Sequence, residues 1–173
     1  MALGMATGQV SLLSAHEAWA EQYQLEKARI LEAIGAHILD IQHVGSTSIA
    51  GVPAKPILDI LVGVEDFEGA AVCIARMEDI GYRYRGENGI PRRHYFVKGD
   101  PRTHHVHMVE RDGNDWRITV LFRDFLKSHP DVANEYAEAK KRFALKHAQD
   151  QYAYQAEKDK VVERITERAM NSS

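Results

Sequence analysis

The residues best equipped for chemistry fall in a short stretch that opens at Gly45-Ser46-Thr47-Ser48 and closes at Asp59. A glycine free to adopt positive φ precedes three hydroxyls, so the turn can aim its amides at an anion and add hydroxyl donors. Lys55, between the turn and Asp59, can neutralise part of a phosphate's charge. The same four residues can equally form a tight turn whose hydroxyls satisfy their own backbone. Asp59 interrupts the apolar run Pro56 to Val64, PILDILVGV. An unpaired carboxylate is costly to bury, so it calls for a metal ion or for a cation such as Lys55 or an arginine. Turn and carboxylate together suit metal-assisted chemistry on a phosphate, in which an ion bridges substrate oxygens.

The nine histidines include His104, His105 and His107 on one predicted strand, with His94 on a strand expected to pair with it. By alternation His105 and His107 share a face, while His104 and Glu110 share the other. Two imidazoles at i and i+2 make half a metal site, and Asp59 completes a two-histidine, one-carboxylate set if its strand is adjacent. Such a set favours Zn, Mn or Fe over Mg. The alternative is hydrogen bonding to backbone or substrate without a metal. His43, at the lip of the turn, is a further candidate. Arg93 follows a glycine-containing loop and can close over a phosphorylated ligand, whereas its neighbour Arg92 reads as solvated charge. Arg123, beside Asp124 and flanked by Phe122 and Phe125, reads as a site cation or half of a buried pair.

These residues need a sheet to hold them. Ser14 and Glu17 have capping-box spacing, and the apolar period that follows predicts a helix from about Ala15 to Ile34. His37 to Val44 reads as a strand ending at the Gly-Ser turn, and Pro56 to Val64 as a strand covered on both faces. A helical pattern over Phe67 to Ile80 stops at Gly81; strands at Tyr82 to Arg85, His94 to Val97 and His104 to Glu110 then form a meander. Helices are predicted over Trp116 to Lys127, Pro130 to His147 and Gln151 to Met170. Trp19, Tyr23, Trp116, Phe143 and Ile165 read as core. One α+β domain over 14–170 results, with a mixed-sheet core over about 14–126 and a helical layer over about 130–170.

Composition narrows the functions. A net charge of −3 disfavours binding to polymeric nucleic acid through its phosphates. The single Cys73 provides neither a disulfide framework nor a cysteine metal knuckle, which fits a reducing cytoplasm. Met1 to Leu13 does not read as a secretory signal, and no apolar run is long enough to span a membrane. The oligomeric state has no sequence signal.

The run His43 to Val62, HVGSTSIAGVPAKPILDILV, resembles the signature of the GrpB family, a branch of the nucleotidyltransferase superfamily. His105-Val106-His107, Phe122 to Leu126 with His129-Pro130, Tyr136 with Lys140, and Tyr152 with Lys158 extend the resemblance in order from about Trp19 to Ile165. The resemblance implies a nucleotidyltransferase-like mixed sheet flanked by helices. It also implies transfer of a nucleotide from a nucleoside triphosphate to an acceptor with a divalent metal, Mg, Mn or Zn. On the family pattern Lys140, Lys158 and Tyr152 become ligand contacts. GrpB-like domains also occur fused to dephospho-coenzyme A kinase, which implies an accessory role in coenzyme A metabolism. Active superfamily members usually carry two acids at i and i+2 of the strand after the turn; here the second place is Leu61, and Glu110 is the nearest candidate for a third acid. Two functions are therefore expected: a metal-dependent nucleotidyl or phosphoryl transferase acting on a small molecule, or a non-catalytic nucleotide- or metabolite-binding module.

Overall fold

The computed structural model describes residues 3–6 and 8–172. Its centre is strand β2, Leu58–Val64, which pairs antiparallel with β1, Asp40–Val44, and parallel with β5, His104–Glu110. Strands β4, His94–Lys98, and β3, Tyr82–Tyr84, continue the sheet antiparallel, giving the order β1-β2-β5-β4-β3. The expected mixed sheet is thus present. The parallel β2–β5 pair lies at its middle, as the continuous apolar sequence of β2 requires of a strand buried on both faces.

Strand alternation divides the sheet's side chains between two layers. Leu58, Ile60, Val62, Val106 and Met108 join Trp19, Tyr23, Ile30 and Ile34 of helix α1, His16–Ile34, and Met77 of helix α2, Cys73–Asp79, in the larger core. The opposite face carries Asp59, Leu61, His105, His107 and Val109. Part of it is covered by helix α3, Asn114–Ser128, whose Trp116 packs with Val44, Leu61 and Val109. Gly63 permits that approach, because a Cβ there would lie 2.9 Å from the Trp116 ring. Helices α4, Pro130–Lys146, and α5, Gln151–Asn171, pack on α3 through Phe125, Leu126, Tyr136, Val161 and Ile165. This is the expected helical layer.

Several boundaries differ from the sequence reading, each for a local reason. Residues Gly35–His37 form a 3-10 turn, so β1 is shorter than the predicted strand from His37. Pro56 lacks an N–H for the ladder, and β2 begins at Leu58. The segment before α2 is a 3-10 turn over Gly69–Val72. The Ser14 capping box does not form: Ala15 takes the cap position without a side-chain bond, and Leu13 is held by a bridge to Ala54. Residues 3–6 and 8–13 run as a strap across the molecule. The Gly4 amide donates to the Pro56 carbonyl, Met5 bridges to Arg102, and the Gly8 and Val10 amides donate to Gln151 Oε1 and the Ala148 carbonyl. No helix among the described residues is long and apolar enough to cross a membrane.

Candidate active site

The face of the sheet left open by α3 forms the floor of a cleft of about 640 Å³, walled by the Gly-Ser turn, α4, α5 and the N-terminal strap. Gly45 ends β1 with φ +70 and ψ −179, a conformation that only glycine adopts readily. A Cβ at this position would also lie 2.6 Å from Asp59 Oδ2. The glycine therefore allows the turn and the carboxylate to touch. Ser46–Ser48 then form a 3-10 turn whose first amides, on Ser46 and Thr47, are those that a helix leaves without partners of its own. Ser46 and Thr47 line the cleft, whereas Ser48 Oγ donates back to the Gly45 carbonyl at 2.7 Å. The turn thus leaves the Ser46 hydroxyl and the first two amides for a phosphate, whereas Thr47 Oγ1 meets His43 Nε2 at 2.9 Å and Ser48 is satisfied within the turn.

Parallel pairing sets Asp59 opposite His105 and Leu61 opposite His107. Asp59 Oδ1 lies 3.1 Å from His105 Nδ1 and 3.5 Å from His107 Nε2, and the three ligand atoms all fall within 4.8 Å of one another. An ion bonded at about 2.0–2.2 Å to each ligand would separate them by roughly 3–3.5 Å, so this set fits a first-row divalent metal. Burial alone would raise the Asp59 carboxyl, but hydrogen bonds and charge from His105 and His107 hold it well below the usual range, so it is a carboxylate acceptor. His105 Nε2 is buried without a partner, a polar atom whose demand the protein leaves unmet. Leu61, where a second acid would stand, is packed against Trp116 and cannot ligate.

Facing this set is a concentration of cations. Lys55, Lys140, Lys158, Arg93 and Arg102 line the cleft, and Asp59 is the one carboxylate among its lining residues. Lys140 is only 2% exposed, yet no ion pair among the described residues joins it, Lys55 or Lys158 to a carboxylate. Lys55 Nζ instead sits 4.8 Å from the centre of the Tyr154 ring and Lys140 Nζ 5.2 Å from that of Tyr136. Burial, and then the Lys158 charge, push Lys55 down to about 8 against the pull of Asp59. Burial, helped by Lys158 and Lys55, pushes Lys140 well down. The mutual repulsion of these lysines, one buried and two half-buried, is what an anion in the cleft would relieve.

Other expected site residues divide cleanly. Tyr152, 80% exposed, stands at the cleft, and Arg93 lines it. His43 lies on the opposite sheet face, stacked on Tyr23 at 4.7 Å, with Nε2 2.9 Å from Thr47 Oγ1. Burial pushes it down to about 4, so it acts as a neutral support for the turn. Arg123 also lies behind the turn, donating to Gln42 Oε1, the His43 carbonyl and Asp124 Oδ1. Of its two readings, site cation or half of a buried pair, its contacts supply the pair with Asp124. Glu110 is at the far end of β5, five residues and roughly 16 Å from His105. There it binds Arg92 and the Phe67 amide. Arg92 is paired with Glu68 and Glu110 rather than merely solvated. Tyr95, Arg102, Tyr136 and Tyr154 line the cleft without having been singled out as ligand groups, apart from Tyr136 as part of the family pattern. No spacing signal marks them, because strands or helices distant in sequence deliver them.

The sequence profile described as GrpB protein matches residues 9–168. YqkA of Bacillus subtilis is 41% identical over 161 residues, 92% of this chain but 47% of YqkA, so the chain spans about half of that relative. The glutamate-rich protein GrpB of Alkalihalophilus pseudofirmus is 36% identical over 169 residues, 94% of this chain and 97% of the relative. A dephospho-CoA kinase of Mycolicibacterium paratuberculosis is 26% identical over 181 residues, which cover 90% of this chain and 44% of the kinase. Among solved structures, the conserved protein GrpB from Enterococcus faecalis superposes with a TM-score of 0.87 at 34% identity, covering 94% of this chain and 98% of that one. The Cid1 poly(U) polymerase shares the fold alone, with a TM-score of 0.53 at 12% identity over 77% of this chain and 43% of Cid1. This chain belongs to the GrpB family and has a nucleotidyltransferase-like fold.

Proposed function

We propose that this protein is a metal-dependent transferase that moves a nucleotidyl or related phosphoryl group from a nucleoside triphosphate to a small molecule. The observation that carries the reading is the meeting, in one cleft, of the Asp59–His105–His107 set with Lys55, Lys140 and Lys158 beside the Gly-Ser turn. Asp59, His105 and His107 would hold the ion, which supplies neutralisation of charge developing on phosphate oxygens. Ser46 and Thr47 would donate to the phosphates, and Lys55, still largely protonated near neutral pH, would add its charge. Histidine ligands favour Zn, Mn or Fe over Mg. Cations gathered inside a bounded cleft, on a chain of net charge −3, favour a small anionic ligand over polymeric nucleic acid. The lone buried Cys73 fits the cytoplasm as its location.

A second reading is favoured by Leu61. With the second acid replaced by a packed core residue, the cleft could bind a nucleotide or metabolite without turning it over. The kinase relative directs that reading toward an accessory role in coenzyme A metabolism. The test is a thermal-shift screen of nucleoside triphosphates and coenzyme A precursors, each with Mg, Mn or Zn, on wild type and Asp59→Asn, followed by assay of pyrophosphate release. A metal-dependent nucleotide shift lost in the variant, with release of pyrophosphate, supports transfer. Shifts indifferent to Asp59 and no release support the binding module; no shift with any ligand overturns both.

A further inference from the structure

Arg93 lies at the meeting point of the cleft's two halves. Its guanidinium stacks on Tyr95 at 4.7 Å, and Nε and Nη2 donate to the Glu87 and Asn88 carbonyls. Nη1 donates to His107 Nδ1 at 3.2 Å. A guanidinium has no acceptor, so this contact requires a lone pair on His107 Nδ1 and leaves the ring proton on Nε2. That proton points toward Asp59, with Nε2 3.5 Å from Oδ1. The chain of donors Arg93 to His107 to Asp59 is closed and self-consistent. It is also incompatible with a metal on His107 Nε2, because the metal would need the lone pair there and the proton would have to reside on Nδ1. Two N–H groups would then face each other across the Arg93 contact.

We propose that Arg93 is a positioning residue that locks His107 in the tautomer that cannot bind metal, and that it releases the lock by moving onto the anionic ligand. The inference rests on the metal-and-phosphate reading of the cleft. On release the ring's proton passes through solvent from Nε2 to Nδ1; no bond to carbon changes, and the total charge of the protein is unaltered. Arg93 already lines the cleft, so a phosphate held by the Gly-Ser turn and the lysines can offer its guanidinium acceptors in exchange for His107. The loop before Arg93, residues 85–92, is largely exposed but tied down by Arg92 to Glu68 and Glu110, so the exchange needs only the Arg93 side chain to swing from the Glu87 and Asn88 carbonyls and His107 into the cleft. Metal and anion would then bind cooperatively, each favouring the state in which Arg93 has left His107.

Two measurements on the full chain test this. Long-range proton–nitrogen NMR of the imidazoles, with His107 assigned by its loss in His107→Asn, reads the tautomer in metal-free protein. The Nε2–H form is expected in wild type and a shift toward Nδ1–H in Arg93→Gln, whose amide oxygen can accept from Nδ1; an Nδ1–H wild type overturns the proposal. Zn titration calorimetry then compares wild type, Arg93→Met and Arg93→Gln. Met removes the charge together with the donor to Nδ1, whereas Gln also supplies the acceptor that a metal-bound histidine needs, so affinity should rise in the order wild type, Met, Gln, with Gln exceeding Met by about tenfold. Wild-type affinity in both variants overturns the lock while leaving the metal site standing. Absence of Zn binding in all three overturns the metal reading together with the inference.

Discussion

Two lysines, the half-buried Lys98 and the buried Lys140, lie on opposite sides of the same sheet and meet opposite fates. Lys98, on the α1 side, donates to Glu26 Oε1 at 2.7 Å, and Glu26 accepts a second bond from the Tyr82 hydroxyl at 2.9 Å. Burial would raise the Glu26 carboxyl, but Lys98 and Tyr82 outweigh it and hold it below its usual value. Lys140, on the cleft side, is as deeply buried as any charged group among the described residues, yet it has no ion pair there: its Nζ lies near the Tyr136 ring, and the charges of Lys158 and Lys55 oppose the pull of Asp59. A charge with its partner built in contributes to the fold; a charge without one is retained at a cost to stability and is available to a ligand.

The largest effect should come from removing the partner that is built in. Glu26→Ala leaves Lys98 uncompensated and should cost about 3 kcal/mol. In thermal denaturation that is a loss of roughly 6–12 °C, with no change in affinity for inorganic triphosphate measured by calorimetry. Lys140→Met should do the reverse. Replacing an unpaired buried cation with an apolar chain of similar length should stabilise by about 1–2 kcal/mol while weakening triphosphate about tenfold. A destabilised Lys140→Met with normal triphosphate affinity would break the comparison, because Lys140 would then be a structural group like Lys98.

The smallest effect sharpens the contrast through pH. Lys55 titrates near 8 in the folded protein and near 10.5 unfolded, so between these values the unfolded chain holds more protons and stability rises with pH. The gain should be about 1 kcal/mol after screening, because Lys55 is only partly buried. Triphosphate affinity should fall across the same window as the ammonium is lost. Lys55→Met should flatten part of both slopes. Parallel slopes, with stability and affinity rising together, would contradict the assignment of Lys55 to an anion site.

The sequence made the chemistry legible where it was local in a strand. The H-x-H alternation, the carboxylate inside PILDILVGV and the glycine before the hydroxyls each follow from periods of two or from single-residue conformational limits. The condition attached to the metal set, adjacency of two strands, is met by the β2–β5 pair. What the sequence could not supply was register and the far side of the cleft. Glu110 has the right chemistry but lies too far along β5, and His43 points to the wrong face by one residue of alternation. Lys140 and Lys158 required the family pattern, because an apolar helix face with a lysine reads as core with a solvated edge until helices distant in sequence are packed. The bond from Arg93 to His107 spans 14 residues and depends on a loop whose left-handed turn at Asn88 suits an Asn-Gly pair, whereas no residue preference announces the one at Arg92.

The strap formed by residues 3–6 and 8–13 has a consequence for the order of assembly. Its amide at residue 8 is tied to the side chain of residue 151, a separation of 143 positions, so this wall of the cleft closes one of the longest loops in the molecule. Loop closure of that span gains nothing until α5 exists and has docked. During synthesis the sheet and the Gly-Ser turn can form while α5, with Tyr154 and Lys158, is still absent. The nascent protein therefore carries a floor without the Tyr154 and Lys158 side of the cleft, which is completed only when the segment from Gln151 folds back to receive the strap.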